Sequence, residues 1–564
     1  MNSKTEKIEN KKITNTNTNT KKECIRKAIS VAFFIPVTIT CMALTIYFAN
    51  EIEFGLKLQS LLTFCGLFIV LTAVVLFSIQ SLFIFRQNKL PFIISNTILL
   101  TFGILLWIQG NVFAWNLGEL DGTSIDWHQW HRHGIAEIVF WFCILGVAVL
   151  KRQFISHFAV YIACILMLAQ LLPTANQIRH SIKHSIHSLA YEITFDGFFD
   201  YSQETDVIVV VLDTFGKPIF DIVTKDDNSY QNDIFQDFTC FSQCFVSRPP
   251  FTRFSMTRIL TGHDTDMPRD ASLRKFDKFF TKAFNDPNML FSALTRAGYR
   301  CNAYSWKPSF ICWDAACVAP NLVNMRERTL GDNLIPNELC EITLFRMLPI
   351  FLKQKCYESF SSINQRVTQP VDLTERYYPL KNLTDSAFFK IMKNTQWKHT
   401  PNIKQCKFIH LLGTHTPYCM NEKAEPEILT QQDDLFRQAK GCLYIVKNLL
   451  EKLKAVDSYD RSFILIMSDH GADRRSHRLL DESGVHRPLL LVKRPGDRYE
   501  TMQFNDAPVH LKDTTPAILT ELNLPRGKDA FSWFAVPETL AEERKIEWNA
   551  YWEKLIKKEV PPPR

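Results

Sequence analysis

Five long apolar stretches occupy the first third of the chain, and their length predicts helices that cross a membrane. They cover about residues 29–50, 59–85, 92–115, 134–150 and 154–173. An α-helix rises about 1.5 Å per residue, so each stretch is about long enough for a hydrocarbon core of roughly 30 Å. The stretches are apolar on all sides, which fits poorly with buried helices of a soluble domain. A single carboxylate, Glu137, interrupts the fourth.

After residue 204 the apolar positions come in short runs of strand length. Runs at 206–212, 408–410, 464–467 and 489–493 are predicted strands, and the first has the unbroken apolar character of a strand buried on both faces. Helical spacing at 433–453 predicts an amphipathic helix that leads into strand 464–467 through a right-handed crossover. The chain is therefore predicted to be a five-helix transmembrane bundle followed by an α/β external domain, a mostly parallel sheet flanked by helices.

We divide the chain into a tail (1–28), a transmembrane domain (29–173), a linker (174–204) and an external catalytic domain (205–564). The Thr-Asn repeats at 14–20 predict a disordered tail. No small-residue cleavage site follows the first apolar stretch, so we do not expect a cleaved signal peptide. The linker has helical spacing at 178–193, which predicts an amphipathic helix along the membrane surface.

Basic residues predict the orientation of the bundle. The chain of 564 residues has a net charge of +7, and eight lysines and arginines precede the first apolar stretch. The second and fourth connections are also basic, through Arg86 with Lys89 and Lys151 with Arg152. Because basic loops are retained in the cytoplasm, the tail is predicted inside and residues after Pro173 outside. We expect a bacterial inner membrane with the catalytic domain in the periplasm, and no nucleic-acid partner.

The stretch 464–471, ILIMSDHG, carries the strongest chemical signal. A strand-length apolar run ends in Asp469 and His470, followed by a glycine that permits a sharp turn. Functional groups collect beyond the carboxyl ends of strands in open α/β sheets, and a carboxylate beside an imidazole suits a divalent metal. Asp213 follows the strand 206–212 in the same way, although an Asp there is equally typical of a helix cap.

A cluster of hydroxyl residues provides a candidate nucleophile. In the stretch 248–262, RPPFTRFSMTRILTG, two prolines precede Thr252, Ser255 and Thr257. A hydroxyl at a helix N-terminus gains from the helix dipole, which also attracts phosphate or sulfate groups, but Thr252 or Ser255 could instead cap the helix. His415 lies in a loop between a glycine and a proline, a position more typical of a site residue than of a core residue.

The order carboxylate, hydroxyl, His, Asp-His resembles the sulfatase-like branch of the alkaline phosphatase superfamily. The resemblance spans about residues 206–533 and includes VVVLDT, TRFSMTRILTG, HLLGTHTPY, ILIMSDHG and DTTPAILTEL. By this resemblance Asp213, Thr252, Asp469 and His470 bind the metal, and Thr252 is also the nucleophile. His415 contacts the substrate or a second metal, and Arg253 assists in charge stabilisation. His486 is a weaker match to a further basic residue.

Differences between this sequence and the sulfatase motif indicate which members of the superfamily the chain resembles most. Sulfatases need Cys or Ser at the nucleophile in a Cys/Ser-x-Pro-x-Arg motif, which the sequence from Thr252 to Met256 lacks. Threonine after five apolar stretches instead resembles the membrane-anchored phosphoethanolamine and glycerol-phosphate transferases of bacterial envelopes. Those families commonly have Glu where this chain has Asp213. The resemblance implies a phospholipid donor, an envelope glycan or lipid acceptor, and a divalent ion, with zinc or manganese preferred over calcium or magnesium.

Cysteines fit an oxidising compartment. Ten of the fifteen lie after residue 204, and an even number there permits disulfides. Cys312 and Cys317 are spaced for a small loop similar to a disulfide loop in the phosphoethanolamine transferases. A zinc knuckle is the alternative, although no matched second Cys pair is present.

Two other functions share the same pattern. The first is a membrane-anchored phosphoester or sulfoester hydrolase, in which water replaces the acceptor. The second is a non-catalytic lipid-sensing scaffold on the same fold. The hydroxyl and the four residues of the expected metal site are all present, which favours an enzyme.

Overall fold

A computed structural model describes residues 2–49, 58–84, 89–115, 117, 125, 127–183, 191–264, 273–307, 310–311, 319–324, 337–359, 377–379, 383–400, 403–429, 433–474, 476–525 and 530–559. The chain forms two compact units. The helical unit comprises Met1–Leu120, Ile125–Ser188 and Leu330–Ser362, and the α/β unit comprises Asp121–Ser124, Leu189–Thr329 and Ile363–Arg564.

The α-helices, numbered in chain order, are α1 (Asn2–Ala49), α2 (Leu58–Ile84), α3 (Leu90–Asn111), α4 (His131–Leu150), α5 (Arg152–Lys183), α6 (Lys217–Thr224), α7 (Thr252–Thr261), α8 (Leu273–Phe284), α9 (Leu290–Arg296), α10 (Asn337–Met347), α11 (Ile350–Glu358), α12 (Asp385–Asn394), α13 (Asp434–Ala455), α14 (Thr514–Glu521) and α15 (Glu538–Glu559).

The β-strands are β1 (Tyr191–Thr194), β2 (Asp200–Tyr201), β3 (Val207–Leu212), β4 (Thr239–Phe241), β5 (Cys244–Phe245), β6 (Tyr299–Ser305), β7 (Leu322–Asn324), β8 (Tyr377–Pro379), β9 (Lys398–His399), β10 (Lys404–Leu411), β11 (Phe463–Met467), β12 (Leu490–Lys493), β13 (Gln503–Asn505) and β14 (Val509–His510).

The helical unit contains the five apolar helices that the sequence predicts. Segments Thr20–Ala49, Leu58–Ile84, Leu90–Asn111, Trp127–Leu150 and Arg152–Arg179 are long and apolar enough to cross a membrane. Polar side chains inside the unit bond to one another, as where Asn96 Nδ2 donates to Gln80 Oε1 at 2.9 Å. The prediction of a disordered tail is wrong, because α1 already begins at Asn2. No proline or glycine precedes Pro36, so a helix nucleated in the apolar segment can extend backwards at low cost.

The helical unit also includes two helices that come from far along the sequence. Helices α10 and α11 lie within Leu330–Ser362, a segment that our division of the sequence assigned to the external domain. Met347 shares an apolar cluster with Met42 and Leu106, and Leu339 shares another with Tyr47. The other predicted domain limits stay predictions.

A seven-stranded sheet forms the centre of the α/β unit, in the order β13-β4-β12-β11-β3-β10-β6. Strands β11, β3, β10 and β6 are mutually parallel, whereas β12 is antiparallel to both β11 and β4. All residues of β3 and β11 are buried, as expected for central strands covered by helices on both faces. The predicted fold class is confirmed.

The predicted elements of the α/β unit agree with the structure within a few residues. Strand 206–212 is β3, the run 408–410 is the end of β10, and helix 433–453 is α13. The helix predicted in the linker corresponds to the end of α5, which stops at Lys183. Another part of the linker forms a strand instead of a helix. This strand, β1, pairs with β7 and β8 in a small antiparallel sheet. Residues 184–190 lie outside the described part of the chain.

One buried cation gives the α/β unit a pH-dependent stability. Lys407 lies in β10 with its Nζ donating to Gly197 O at 3.0 Å and to Gln405 Oε1 at 3.1 Å. Burial lowers the pKa of Lys407 to about 7. Between that value and the ordinary lysine pKa, the unfolded chain holds a proton that the folded chain releases, so this contribution to stability rises with pH and is least favourable below pH 7.

We expect Lys407→Met to gain stability relative to the wild type at pH 6 and to lose that advantage at pH 9. Thermal unfolding of the full-length protein in detergent, followed by circular dichroism, measures the difference at each pH. Lys404→Met, at the partly exposed start of the same strand, is the control and should give a difference that changes little with pH. An unchanged difference for Lys407→Met would show that this lysine stays charged in the fold.

Candidate metal and catalytic site

Side chains from two neighbouring parallel strands meet at the carboxyl edge of the sheet. Asp213 follows β3, and Asp469 with His470 follows β11, which pairs with β3 from Phe463 to Met467. Ligand oxygen or nitrogen atoms of these three residues all lie within 4.8 Å of one another. The structure thus brings together the predicted carboxylates and imidazole.

Hydrogen bonds fix the imidazole of His470 in an orientation that suits a metal ligand. Its Nδ1 lies 2.8 Å from Gly471 O, and a carbonyl oxygen only accepts, so Nδ1 carries the proton. Its Nε2 faces the carboxylates, at 3.7 Å from Asp213 Oδ1 and 3.5 Å from Asp469 Oδ2. Burial lowers the pKa of His470, but the charges of these carboxylates outweigh burial and raise it, so a bound metal would take the place of a proton on Nε2. A neutral imidazole with its second nitrogen held by a carbonyl is the usual form of a histidine that binds a metal.

Thr252 completes the cluster as the first residue of α7. Its Oγ1 lies 3.3 Å from Asp213 Oδ2 and 3.4 Å from His470 Nε2. Further along α7, the side chain of Arg258 donates hydrogen bonds to the carbonyl oxygens of Arg248 and Pro249. These bonds fix the loop that leads into the helix. Thr252 is therefore held at the N-terminal end of the helix dipole, where negative charge is stabilised.

The alternative hydroxyl, Ser255, has a different environment. It is fully buried, and its Oγ has no hydrogen-bond partner among the described residues. Its backbone N–H donates to Phe251 O, as an ordinary early residue of α7. Of these two hydroxyls, the one with described contacts to the carboxylate cluster is that of Thr252.

The two buried carboxylates repel each other. Burial raises the pKa of Asp213, but its contact with His410 and its attraction to His415 and His470 outweigh that effect, so the pKa lies below its ordinary value. Burial and the charge of Asp213 together raise the pKa of Asp469. Asp213 therefore strongly favours its ionised form. Asp469 favours its protonated form unless a further positive charge lies beside it.

Unpaired buried atoms show that the cluster fits a divalent cation. Asp469 Oδ1 accepts from Thr214 N at 3.0 Å, whereas Asp469 Oδ2 is buried without a hydrogen-bond partner among the described residues. A buried carboxylate oxygen needs a donor or a cation. Two carboxylates, one imidazole and a hydroxyl form a mixed oxygen and nitrogen set that suits zinc or manganese.

His415 borders the cluster through Trp306. The indole Nε1 of Trp306 donates to Asp213 Oδ2 at 3.2 Å, and the ring centroids of Trp306 and His415 are 5.6 Å apart. His415 is partly exposed, and its Nδ1 lies 2.5 Å from Thr416 O. Its Nε2 is therefore the ring nitrogen available to a ligand.

Arg253 and His486 have other contacts. The guanidinium of Arg253 lies over the ring of Phe280, 5.9 Å from the centroid. His486 is buried with Nδ1 2.8 Å from Val246 O, and burial lowers its pKa to about 4. These contacts are typical of packing residues, and the catalytic assignment of Arg253 stays a prediction.

Sequence reasoning missed His410. This histidine lies at the end of β10, fully buried, with Nε2 3.5 Å from Asp213 Oδ2 and Nδ1 2.9 Å from Ser305 Oγ. Its Nε2 has no hydrogen-bond partner among the described residues, so it too points unpaired at the cluster. The available signal was a polar residue at the end of a predicted apolar strand, the same kind of position that Asp213 and Asp469 have after their strands.

A second missed residue, Asp385, shapes the loop that carries His415. Its carboxylate accepts from Leu412 N at 2.8 Å and from Gly413 N at 2.9 Å, and burial raises its pKa to about 6. Gly413 has φ +65°, and a Cβ there would lie 2.3 Å from Asp213 O. The loop can therefore pass close to Asp213 only with glycine at this position.

Gly471 is needed for close packing. A Cβ on Gly471 would lie 2.1 Å from Gly484 O, and its φ is not in the left-handed region. The sequence predicts a glycine here for a sharp turn. The structure instead shows that glycine is needed because the backbone at Gly471 passes close to the backbone at Gly484 beside the site.

The described cysteines are free thiols, including all eight described ones after residue 204. Cys312 and Cys317 lie outside the described residues, so the predicted disulfide loop stays a prediction.

The fold and the cluster define an α/β domain with a candidate metal site at the carboxyl edge of its sheet. A family model described as Sulfatase matches residues 205–524. The chain belongs to the Sulfatase family. No curated protein sequence matches it.

Two of the solved structures to which the chain is similar are enzymes by their descriptions. The phosphonate monoester hydrolase SpPMH from Silicibacter pomeroyi has 15% sequence identity and a TM-score of 0.36, covering 59% of this chain and 78% of its own. The lipoteichoic acid synthase LtaP from Listeria monocytogenes has 11% identity and a TM-score of 0.34, covering 62% and 79%.

We expect Asp469→Asn to lose bound metal, because the variant keeps the shape of the side chain but removes the charge that a divalent ion needs. Elemental analysis of the purified full-length protein measures metal per chain, and we expect a reduction of at least about tenfold in the presence of a competing chelator. Asp221→Asn changes a half-exposed carboxylate paired with Lys217 and should retain wild-type metal content. Equal metal in both variants would make Asp469 a structural residue.

Proposed function

We propose that this chain is a membrane-embedded phosphotransferase that moves a phospholipid headgroup to an envelope glycan or lipid through a phospho-threonine intermediate. The observation that carries the proposal is the position of Thr252 Oγ1, within 3.4 Å of both Asp213 and His470 at the start of α7. A hydroxyl held against candidate metal ligands at a helix N-terminus has the surroundings of an activated nucleophile.

In the first half-reaction, the Thr252 oxygen attacks the phosphorus of the donor. The bond from phosphorus to the glycerol oxygen breaks, the Thr252 proton is lost, and diacylglycerol leaves after its oxygen gains a proton. A divalent metal held by Asp213, Asp469, His470 and Thr252 supplies, when bound, a lowered hydroxyl pKa and polarisation of a phosphoryl oxygen. His415 Nε2 and the N-terminal end of α7 face the developing negative charge.

In the second half-reaction, a hydroxyl of the acceptor attacks the phosphorus of phospho-Thr252. The bond to the threonine oxygen breaks, and the Thr252 hydroxyl is restored as it takes up a proton. Attack by water instead would make the protein a hydrolase with the same first step. Five apolar helices would tether the enzyme to the bilayer that contains its lipid donor, which raises the effective concentration of that donor.

We expect Thr252→Ala to abolish the covalent adduct and to lower headgroup transfer by at least about 10³-fold, because the variant lacks the hydroxyl that lies within 3.4 Å of both Asp213 and His470. Mass spectrometry of the peptide that contains Thr252, after incubation with phosphatidylethanolamine and phosphatidylglycerol, detects the adduct.

Ser255→Ala on the same helix is the matched control. Its unpaired buried oxygen makes no contact to the cluster, so its loss should change transfer by no more than about fivefold. An adduct that survives in Thr252→Ala, or is lost in Ser255→Ala, would move the nucleophile to Ser255. The absence of an adduct in the wild-type protein would favour the non-catalytic scaffold.

We also propose that the α/β unit lies outside the cytoplasm, on the basis of the basic tail and the basic second and fourth connections. A reporter enzyme that is active only outside the cytoplasm should be active when fused after Pro173 and silent when fused after Lys89. The reverse pattern would contradict the proposed side.

A further inference from the structure

Helices α10 and α11 form a short pair that is built into the helical unit. Leu339 of α10 shares an apolar cluster with Leu44, Tyr47, Leu61 and Cys65, at the C-terminal end of α1 and the N-terminal end of α2. Met347 shares another with Ile35, Met42 and Leu106. Met42 precedes the end of α1, Ala49, by seven residues (49 − 42), so the contacts extend about 10 Å along the bundle from that end.

The pair is too short to cross a bilayer. Helix α10 has 11 residues and α11 has nine, which correspond to roughly 16 Å and 14 Å of helix against a hydrocarbon core of about 30 Å. Pro349 precedes α11 and separates the two helices. Leu339 of α10 packs at the C-terminal end of α1, and Tyr357 of α11 lies 6.4 Å from Trp127, just before α4, between ring centroids, so both helices of the pair contact ends of bundle helices.

Glu137 fixes this pair to the bundle. Its Oε2 accepts from Ile350 N, the first N–H of α11, at 2.7 Å. Its Oε1 accepts from Gln109 Nε2 at 3.0 Å and from Trp115 Nε1 at 2.5 Å. Glu137 is buried, so three donors that would otherwise lack a partner are satisfied by the one carboxylate of α4.

The outer side of the pair is apolar near the turn. Leu344 is 54% exposed, Phe351 49% and Leu352 36%. Gln354 and Lys355, farther from the turn, are exposed and polar. Exposed apolar side chains also cover the helices next to the pair, such as Phe142 on α4. The apolar surface of the pair is thus continuous with the surface that five membrane-crossing helices would present to lipid.

We propose that residues 337–358 are a membrane-embedded helix pair whose outer side contacts lipid acyl chains within one leaflet, and whose inner side is fixed to the bundle by Glu137. The inference rests on the proposal that the five helices cross a membrane. The pair exposes apolar side chains near its turn and polar side chains on α11 farther from the turn. This order matches the change from hydrocarbon to headgroups within one leaflet.

Photo-crosslinking in lipid nanodiscs tests lipid contact. The full-length protein carries p-benzoylphenylalanine in place of one exposed phenylalanine: Phe351 of the pair, Phe142 of α4 or Phe504 of β13 in the α/β unit, the last 57% exposed. The discs contain phosphatidylethanolamine and phosphatidylglycerol. After irradiation, intact-mass spectrometry should find lipid adducts at positions 351 and 142 and at least about tenfold less at 504.

Each other outcome overturns a defined part of the account. Lipid adducts at 142 but not at 351 would overturn the helix pair inference alone. Adducts at neither position would overturn the membrane placement as well. Equal labelling at 351 and 504, or a protein–protein adduct at 351, would also contradict lipid contact.

Hydrogen exchange in the same discs tests the role of Glu137. In Glu137→Ala, peptides that cover 350–353 should exchange about tenfold faster, because the first N–H of α11 loses its acceptor. Glu137→Gln retains one acceptor oxygen for donors that bond to both oxygens of the carboxylate, so its exchange should fall between the wild type and Glu137→Ala. Gln80→Ala removes a buried side chain bonded to Asn96 in the same unit and should leave these peptides unchanged. Unchanged exchange in Glu137→Ala would show that Glu137 does not hold the pair.

Discussion

Two buried carboxylates of like charge, at the ends of adjacent strands, are the constraint on which the rest of the site depends. Asp213 and Asp469 are both fully buried, and an uncompensated charge in such a position costs several kcal/mol. Backbone and indole N–H groups satisfy part of this charge, and histidines surround the rest. A divalent cation would satisfy the oxygen of Asp469 and the nitrogen of His410 that lack hydrogen-bond partners among the described residues.

The sheet order explains how residues far apart in sequence reach one point. Strand β3 lies between β11 and β10, so the residues that follow these three parallel strands share one edge. Thr214, just after β3, has φ +62°, a left-handed conformation that is unfavourable for threonine. Its N–H nevertheless reaches Asp469, and its Oγ1 donates to Asp213 at 2.8 Å. The strained residue thus links the two carboxylates.

The sequence predicts the parts of this structure that depend on local pattern. Apolar length defines the five helices, and apolar runs of strand length define β3, β10 and β11, with Asp213, Asp469 and His470 at their ends. The resemblance to the sulfatase-like family selects Thr252 among the hydroxyls of this stretch, and two prolines precede it. Each of these signals lies within about 15 consecutive residues, where periodicity and capping rules apply.

What the sequence does not predict depends on packing between distant segments. His410 reads as part of an apolar strand until β10 is known to lie beside β3. Asp385 reads as the start of a helix, and only the fold brings its carboxylate to the N–H groups of Leu412 and Gly413. Helices α10 and α11 have short apolar patterns, and nothing local shows that they join helices more than two hundred residues earlier in the chain. The tail was predicted from composition, which underestimates helix extension from an adjacent stable segment.

Anomalous X-ray diffraction from crystals of the full-length protein purified with its native metal tests the central claim most directly. The account predicts an anomalous peak between the carboxylates of Asp213 and Asp469 and Nε2 of His470, adjacent to Thr252 Oγ1. Catalytically active crystals with no metal peak at this cluster, or with their metal bound at another set of residues, would contradict it.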